Sequence, residues 1–261
     1  MTHMSPSARF GALALSLLLP RVAVVAQGAS TRIATVEVRA GRDALSEGIS
    51  PWQDQGVTLG LRASTRTGVS VTAERMERFG LDDQRLQGEL SFALGRRLTL
   101  GVEGEVSTTH QVVAKDGGAA QLHLSLPGGW GVAARGSMRR YTAVEVQGAS
   151  FSLERYWGNF LASYSAAPVR LADAPVVTTH SVRLSRFFGE RGSVTVMGAS
   201  GKEVEALAAA GPLVAAVRAA GAWGVIPVAP HLALTWGADV TRYEGLFTRR
   251  HVSLGARVSS R

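Results

Sequence analysis

Residues 98–106, LTLGVEGEV, alternate apolar residues with small or polar ones, and this pattern decides the fold. A period of two sends successive side chains to opposite faces of a β-strand. The same alternation recurs in residues 57–62, 121–126, 232–239 and 252–257. Helical spacing is convincing only in residues 203–210, where the sequence predicts a short loop helix. The chain is therefore predicted to be all-β.

Turn-forming residues divide these runs at short intervals, and the connections alternate in length. Strands are predicted near residues 34–40, 55–65, 67–79, 82–95, 97–108, 117–126, 129–140, 143–156, 157–167, 176–187, 192–200, 214–226, 229–241 and 248–258. One set of connections is tight, at 65–67, 95–97, 127–129, 156–159, 189–192 and 227–230. The other set contains the longer segments 41–54, 109–118, 168–175 and 201–211. Short periplasmic turns opposite longer outer loops are typical of a transmembrane antiparallel up-and-down β-barrel, here of about 14 strands with 12 as the alternative.

The two faces of the predicted strands differ in chemistry. One parity carries mainly leucine and valine, and the other carries charged residues with Gly, Ser, Thr and Ala between them. A soluble protein buries its apolar face, whereas a membrane barrel turns that face to lipid and lines its lumen with the polar one. Aromatic girdles mark the membrane interfaces of such barrels. The tryptophans near predicted strand ends are Trp130, Trp157, Trp223 and Trp236.

A charge network is predicted in the lumen or at its rim. Its members are Arg62, Glu74, Arg75, Arg78, Glu89, Glu103, Glu105, Arg135, Arg218 and Asp239. An unpaired ion in a narrow lumen would cost on the order of several kcal/mol, so we interpret these residues as salt bridges that tie neighbouring strands. The alternative for Glu74, Arg75 and Arg78 is a ligand-binding patch at the barrel mouth.

The N-terminal segment, residues 1–26, is predicted to be a cleaved signal peptide, which leaves a barrel over residues 27–261. Arg9 precedes an apolar run at residues 10–19 (FGALALSLLL), and Val24 and Ala26 suit the residues before a cleavage site. The run is shorter than the about 20 residues that a membrane-spanning helix needs. Loss of Arg9 and Arg21 with this segment would change the formal charge from +8 to 8 − 2 = +6.

The basic net charge raises the possibility of nucleic-acid binding, which its distribution disfavours. Arginines and glutamates are scattered singly between apolar neighbours, whereas nucleic-acid binders cluster basic residues on one helix or patch. We therefore expect no nucleic-acid partner.

The sequence has no cysteine, which excludes disulfides, thiol nucleophiles and cysteine-ligated metals.

Residues 73–84 (AERMERFGLDDQ) resemble the Glu-Arg…Arg-Phe-Gly…Asp pattern of YaiO-like outer-membrane β-barrel proteins. Residues 50–52 (SPW) and the arginine–aromatic pairs at 140–141, 155–157 and 186–188 are also similar to that family. The resemblance covers residues 34–261 and implies a Gram-negative outer-membrane barrel, inserted by the barrel-assembly machinery among lipid and lipopolysaccharide. Some similar proteins carry helical repeats before the barrel and act in polysaccharide export; we expect no such repeats here.

No pattern in the sequence predicts a catalytic, metal or cofactor site. The outer connections are predicted to hold or adjoin His110, Asp82, Asp83 and Asp116. Nothing in their spacing places a nucleophile beside a base, so we interpret them as polar loop residues. No histidine–carboxylate spacing resembles a zinc site, and no phosphate-binding loop occurs.

The inward parity is rich in small residues, which points to a channel. Such side chains do not fill a barrel of this strand number, so we expect a water-filled lumen. The predicted function is a channel or export pore for a hydrophilic solute such as a saccharide, with weak ion selectivity because wall charges are mixed. The alternatives are a structural or surface-interaction barrel with a plugged lumen, which short loops disfavour, and an outer-rim hydrolase.

Overall fold

The computed structural model describes residues 32–260 apart from 65, 190 and 208–210, so the predicted signal peptide lies outside the described residues. The chain forms fourteen antiparallel strands that close into one barrel, in which β1 pairs with both β2 and β14. The strands are β1 (Ile33–Leu45), β2 (Trp52–Arg62), β3 (Thr67–Arg78), β4 (Leu81–Ala93), β5 (Leu98–Ser107), β6 (Asp116–Ser125), β7 (Trp130–Arg140), β8 (Glu145–Trp157), β9 (Phe160–Leu171), β10 (Val177–Phe188), β11 (Gly192–Leu207), β12 (Gly211–Ala229), β13 (Leu232–Tyr243) and β14 (Phe247–Ser259). A search of the described residues finds no helix long and apolar enough to cross a bilayer. The predicted up-and-down barrel of fourteen strands is confirmed.

The two ends of the barrel differ in their connections. The first and last strands begin and end at one end, since Thr35 pairs with both Gly60 and Ser259. The connections at this end, here called the turn end, are residues 63–66, 94–97, 126–129, 158–159, 189–191 and 230–231. Those at the opposite end, the loop end, are residues 46–51, 79–80, 108–115, 141–144, 172–176, 208–210 and 244–246. Each connection joins adjacent strands, so the lumen has a continuous wall.

Several segments predicted as loops or helix belong to strands. β1 continues to Leu45, so much of the predicted loop at 41–54 is strand. The predicted helix at 203–210 is wrong over residues 203–207, which extend β11 and pair with 211–215 of β12. Alanine-rich composition favours helix, but cross-strand pairing overrides that local preference. The contrast in connection length is consequently smaller than predicted, and residues 108–115 form the longest loop.

The tightest connection at the loop end joins β3 to β4. Phe79 and Gly80 both have positive φ, 56° and 72°. A two-residue hairpin turn with both central residues in this region matches the right-handed twist of the strands it joins. Glycine adopts this conformation at little steric cost. The hairpin therefore holds the β3 and β4 side chains near the loop end in a fixed register.

The outward face of the barrel is apolar. Its exposed side chains include Val36, Val38, Leu59, Val71, Leu90, Val102, Leu122, Leu153, Val182, Val196, Val240 and Leu254. Leu254 is 72% exposed, which is far from the burial of a soluble core residue. An apolar band around a barrel with a polar interior is the surface of a protein embedded in a bilayer.

The tryptophans divide between the two faces. Trp130 and Trp157 are 43% and 44% exposed at the turn end, where an interfacial aromatic girdle is expected. Trp223 instead lies on the inward face, since its cross-strand partner is the buried Thr195. The prediction of an interface position is therefore corrected for Trp223.

Candidate functional site: the lumen

One wall of the lumen carries a chain of alternating charges. Arg39 donates through Nη2 to Oε1 of Glu74 at 2.6 Å, and Arg85 bonds the other oxygen of Glu74. Glu105 accepts from Arg85 Nη1 at 3.2 Å and from Arg139 Nε at 2.5 Å. The side chains of Arg85, Glu74 and Glu105 are only 11%, 9% and 7% exposed. Each of these buried ions contacts opposite charges, which offsets the cost of its desolvation.

The chain of charges continues across β1, β13 and β14. Asp43 lies 3.1 Å from His251 Nδ1 and 3.6 Å from Arg249 Nε. Arg249 also donates through Nη2 to Asp239 at 3.2 Å. Two runs of ion pairs adjoin where Asp43 and His251 approach Asp54, and we call the combined set the charge belt. Its residues are Asp239, Arg249, Asp43, His251, Asp54, Arg39, Glu74, Arg85, Glu105 and Arg139.

A carboxylate–histidine group in the charge belt has the spacing of a cation site. One ligand atom from each of Asp43, Asp54 and His251 lies within 4.8 Å of the others. The group already has cationic neighbours, because Arg39 lies 3.8 Å from Asp54 and Arg249 lies 3.6 Å from Asp43. A metal ion would compete with both guanidinium groups and with the Asp43–His251 contact. We therefore assign these residues to the salt-bridge network.

Further ion pairs lie nearer the turn end. Arg135 contacts Glu103 at 2.5 and 2.7 Å, Arg257 contacts Glu37 at 2.9 and 2.6 Å, and His123 Nε2 lies 3.1 Å from Glu154. The two arginine pairs each use two nitrogen atoms, a geometry that strengthens a charge-assisted contact. These pairs fix neighbouring side chains on the wall and leave little uncompensated charge along it.

The wall formed by β8–β11 is lined by hydroxyl groups. Ser152 and Ser165 lie 2.7 Å apart, and Ser185 and Thr195 lie 2.8 Å apart. Each pair joins adjacent strands across the inward face. Hydroxyl groups both donate and accept hydrogen bonds, so this wall suits uncharged polar solutes as well as water.

Charged side chains also lie on this wall, among them Glu154 of β8, Glu203 of β11 and Arg183 of β10. The guanidinium of Arg183 lies over the ring of Trp223, 5.8 Å from its centroid. Arg183 Nε is buried and has no hydrogen-bond partner among the described residues. Arg183 therefore differs from the ion-paired arginines of the charge belt. At this position in the lumen, Trp223 offers an aromatic surface and Arg183 offers hydrogen-bond donors.

An apolar cluster narrows the loop end of the lumen. Trp52 is 1% exposed and contacts Phe79 and Phe247 edge-on, with ring centroids 5.0 and 6.0 Å away. Tyr243 packs against Phe247 at 4.9 Å, and Arg78 lies over the Trp52 ring at 5.0 Å. Ala215 and Val217 of β12 complete the cluster. We call this group the aromatic collar.

The longest loop folds against the same mouth. The Asp83 carboxylate is fully buried and accepts the backbone N–H groups of Gln111, Val112 and Val113 at 2.8, 2.6 and 3.0 Å. Val112 and Val113 pack on Met76 of β3. Residues 108–115 therefore fold inward at the mouth of the lumen.

The structure brings part of the predicted network together. Glu74, Glu105 and Asp239 belong to the charge belt, and Glu103 pairs with Arg135. Glu89 lies on the inward face directly opposite Glu103. Arg62 is exposed at the turn end, and Arg78 packs in the aromatic collar.

Neither Arg75 nor Arg218 faces the lumen, and the lumen placement predicted for Arg218 is corrected. Arg75 follows the inward-facing Glu74, so strand alternation turns it outward, where it pairs with Asp82. Arg218 shares the outward parity of the exposed Val214 on β12. Counting parity along each strand from a clearly apolar residue would have placed both correctly.

Most of the charge belt was not singled out from the sequence. The additional members are Arg39, Asp43, Asp54, Arg85, Arg139, Arg249 and His251. A parity signal exists for them, since each alternates with outward residues along its strand. The contacts themselves depend on neighbours distant in sequence, such as Arg39 with Glu74, which local patterns do not encode.

The residues considered for catalysis have structural partners. Asp82 pairs with Arg75, Asp116 pairs with Arg140, and Asp83 holds residues 111–113. His110 lies in the inturned loop, and its backbone N–H donates to Ser107 Oγ at 3.1 Å. These contacts do not form a nucleophile–base pair.

No protein-family model matches the chain, and no curated protein matches it by sequence. Its structure is similar to that of the CymD monoaromatic hydrocarbon channel, with a TM-score of 0.60 and 8% identity over 90% of this chain and 89% of that chain. It is also similar to the Acinetobacter baumannii outer membrane protein Omp33, with a TM-score of 0.50 and 13% identity over 87% and 98%. The chain has the fold of outer-membrane β-barrels. At these identities the likeness concerns the fold alone.

Proposed function

We propose that the chain is an outer-membrane channel for small hydrophilic solutes, saccharides among them. The observation that carries this proposal is the inverted polarity of the barrel, with leucine and valine outside and a polar wall inside. A soluble barrel would bury its apolar residues, whereas a pore requires a hydrated wall. The sequence-predicted signal peptide supports delivery of the chain to this membrane.

The arrangement of the lumen supports transport of solutes with little net charge. Ion pairs compensate most wall charges of the belt, and mixed charge gives weak ion selectivity. Ser152, Ser165, Ser185 and Thr195 offer donors and acceptors on another wall. The stack of Arg183 on Trp223 supplies an aromatic face on which a sugar ring can pack.

The motif that resembles YaiO-like proteins has structural roles consistent with this proposal. Glu74 belongs to the charge belt and Phe79 to the aromatic collar. Asp83 binds the backbone N–H groups of the inturned loop. The motif thus contributes side chains to both the wall of the lumen and its mouth. A role in polysaccharide export follows only from the family resemblance and forms the narrower version of the proposal.

The proposal is tested by refolding the barrel into detergent and recording single-channel conductance in planar bilayers. We expect steady openings that scale with salt concentration, and swelling of proteoliposomes in small sugars but not in large ones. Circular dichroism on the same preparation must show a folded β-protein. A folded barrel that remains silent would refute the open channel and favour a plugged structural or surface-binding barrel.

Charge-neutralising variants test whether the belt lines the conducting path. Glu105→Gln leaves Arg85 and Arg139 without their shared carboxylate, so we expect the reversal potential in a salt gradient to shift toward anion selectivity. Glu77→Gln removes the same charge from the outward face of β3 and is the matched control. Equal shifts in both variants would show that the belt is not in the path.

The aromatic collar favours a second candidate, a channel for small molecules with an aromatic part. Trp52, Phe79 and Phe247 form an apolar mouth. An aromatic solute would bury apolar surface against these rings and so gain binding free energy, whereas a sugar would gain little. CymD carries the description of a monoaromatic hydrocarbon channel. Proteoliposome uptake of phenol and of glucose separates the candidates: faster entry of phenol alone, relative to protein-free vesicles, supports the second.

A further inference from the structure

A continuous row of cations lies on the outward face of the barrel near its loop end. It comprises Lys202 on β11, Arg218 on β12, Arg242 on β13, Arg250 on β14 and Arg42 on β1. All of these residues are exposed and share the parity of the lipid-facing side chains of their strands. We call this row the outer basic stripe.

Strand register brings the cations of the stripe close together. Arg218 lies directly opposite Arg242. Arg250 lies diagonal to Arg242 because Thr248 is the residue opposite Arg242, and Arg42 lies diagonal to Arg250 because Val252 is opposite Arg42. Opposite residues have Cβ atoms about 4.5–5.5 Å apart and diagonal ones about 7–8 Å, and like charges at such positions repel.

The protein supplies no counter-charge to the stripe among the described residues. No side-chain hydrogen bond or ion pair of Lys202, Arg218, Arg242, Arg250 or Arg42 occurs within that part of the chain. Mutual repulsion without compensation lowers stability, so anions from outside the chain would stabilise the row.

Outward cations on β3, β7 and β9 behave differently. Arg75 pairs with Asp82, Arg140 pairs with Asp116 at 2.7 Å, and Arg170 donates to a backbone carbonyl at 3.0 Å. These residues lie near the same end of the barrel, so uncompensated charge is not a general property of this rim.

The surface between the stripe and the turn end is apolar, and small side chains alternate there with larger ones such as Val36, Val196 and Val240. On the same strands the outward positions include Ala40, Gly198, Ala220, Ala222, Gly224, Ala238 and Ala256, with Val252 and Leu254 among them. Small side chains leave room for acyl chains against the wall. A cationic row above an apolar surface matches an anionic lipid, with headgroup at the rim and chains below.

We propose that the outer basic stripe binds the phosphate groups of a lipopolysaccharide-type glycolipid in the outer leaflet. This inference rests on the proposed placement in the outer membrane, where the loop end faces outward. Arginine recognises phosphate through paired N–H donors, and Arg218 with Arg242 forms one such site. Arg250 and Arg42 form a neighbouring site for a second phosphate.

The test measures thermal unfolding of the refolded barrel in zwitterionic micelles as bis-phosphorylated lipid A is added. The wild type should be stabilised by several degrees. In the variant Arg218→Gln/Arg242→Gln, we expect the apparent affinity for the lipid to fall by about tenfold or more, since two charge-assisted phosphate contacts are lost. Without lipid this variant should unfold no earlier than the wild type, because a like-charge pair has been removed.

The matched control is Arg75→Gln/Arg140→Gln, which removes the same charge from β3 and β7, outside the stripe, and should keep the lipid-induced shift. Arg250→Gln and Arg42→Gln repeat the comparison with single changes, which secures the test if the double variant does not refold. An undiminished shift in the stripe variants would overturn the proposal. So would an equal shift with dephosphorylated lipid A or with inorganic phosphate alone. If the barrel conducts no current in a planar bilayer but lipid A still raises its unfolding temperature, the channel proposal is refuted and the lipid-binding proposal is retained.

Discussion

Asp83 is a fully buried carboxylate that is satisfied by backbone N–H groups alone. Its contacts with Gln111, Val112 and Val113 tie a loop to a strand almost thirty residues earlier in the chain. Hydrogen bonds to a charged acceptor are stronger than those between neutral groups. The neighbouring Asp82 is 42% exposed and pairs with Arg75, so the two adjacent aspartates have different roles.

Asp83→Asn is expected to loosen residues 108–115 while leaving the barrel folded. The amide has one carbonyl oxygen and no charge, so the loop should lose about 1–3 kcal/mol of local stability. Hydrogen exchange should accelerate at the amides of residues 111–113, and channel current should become noisier. Asp82→Asn, on the outward face, should change neither measurement. Unaltered exchange in Asp83→Asn would show that the carboxylate does not anchor the loop.

At the level of elements, the loop end of the barrel is narrowed by strands and loops acting together. The β3–β4 hairpin presents Phe79 to the collar, β2 begins with Trp52, and the β13–β14 hairpin supplies Tyr243 and Phe247. None of these elements closes the mouth alone. Hydrophobic constrictions of this kind restrict the passage of water and ions.

Removal of the central ring should widen this constriction. Trp52→Ala deletes a side chain that contacts Phe79 and Phe247, and such core truncations cost about 3–5 kcal/mol. We expect a lower unfolding temperature together with a larger single-channel conductance. Trp157→Ala is the control, because Trp157 is exposed on the outward face and stacks only on Phe160 among the described aromatic rings. A conductance equal to that of the wild type would place the narrowest point elsewhere.

On the scale of the whole molecule, the apolar side chains of each strand face outward toward lipid and the polar ones face the lumen. Leu254 and Val252 are exposed, while Glu74 and Glu105 are buried inside. This reverses the arrangement of a soluble protein and makes the barrel stable only where its outer surface is covered by lipid or detergent.

Tryptophan fluorescence tests this assignment directly. In single-tryptophan variants with phenylalanine at the other positions, brominated lipids should quench Trp157 strongly and Trp52 weakly. Trp157 is 44% exposed toward lipid, whereas Trp52 is 1% exposed inside the mouth. Trp223, which lies under Arg183 in the lumen, should behave like Trp52. Equal quenching at all three positions would contradict the inward and outward assignments.

Alternation along the chain was sufficient to predict the barrel, its fourteen strands and the polar parity of residues such as Glu103 and Glu105. It failed where local composition misled, as at residues 203–207, which pair as strand in spite of their alanines. It also misplaced Arg218, which shares the outward parity of Val214. This second error arises because a shift of one residue exchanges the faces of a strand.

The sequence by itself determined that this chain alternates, turns and therefore closes as a barrel, because period and turn chemistry are local properties. Only the tertiary structure decided which charges meet, since Arg39 contacts Glu74 from two strands away and Asp43 on β1 meets His251 on β14. The inturned loop under Asp83 and the outer basic stripe likewise depend on register between strands. Register follows from cross-strand pairing and barrel closure, which relate residues far apart in the chain.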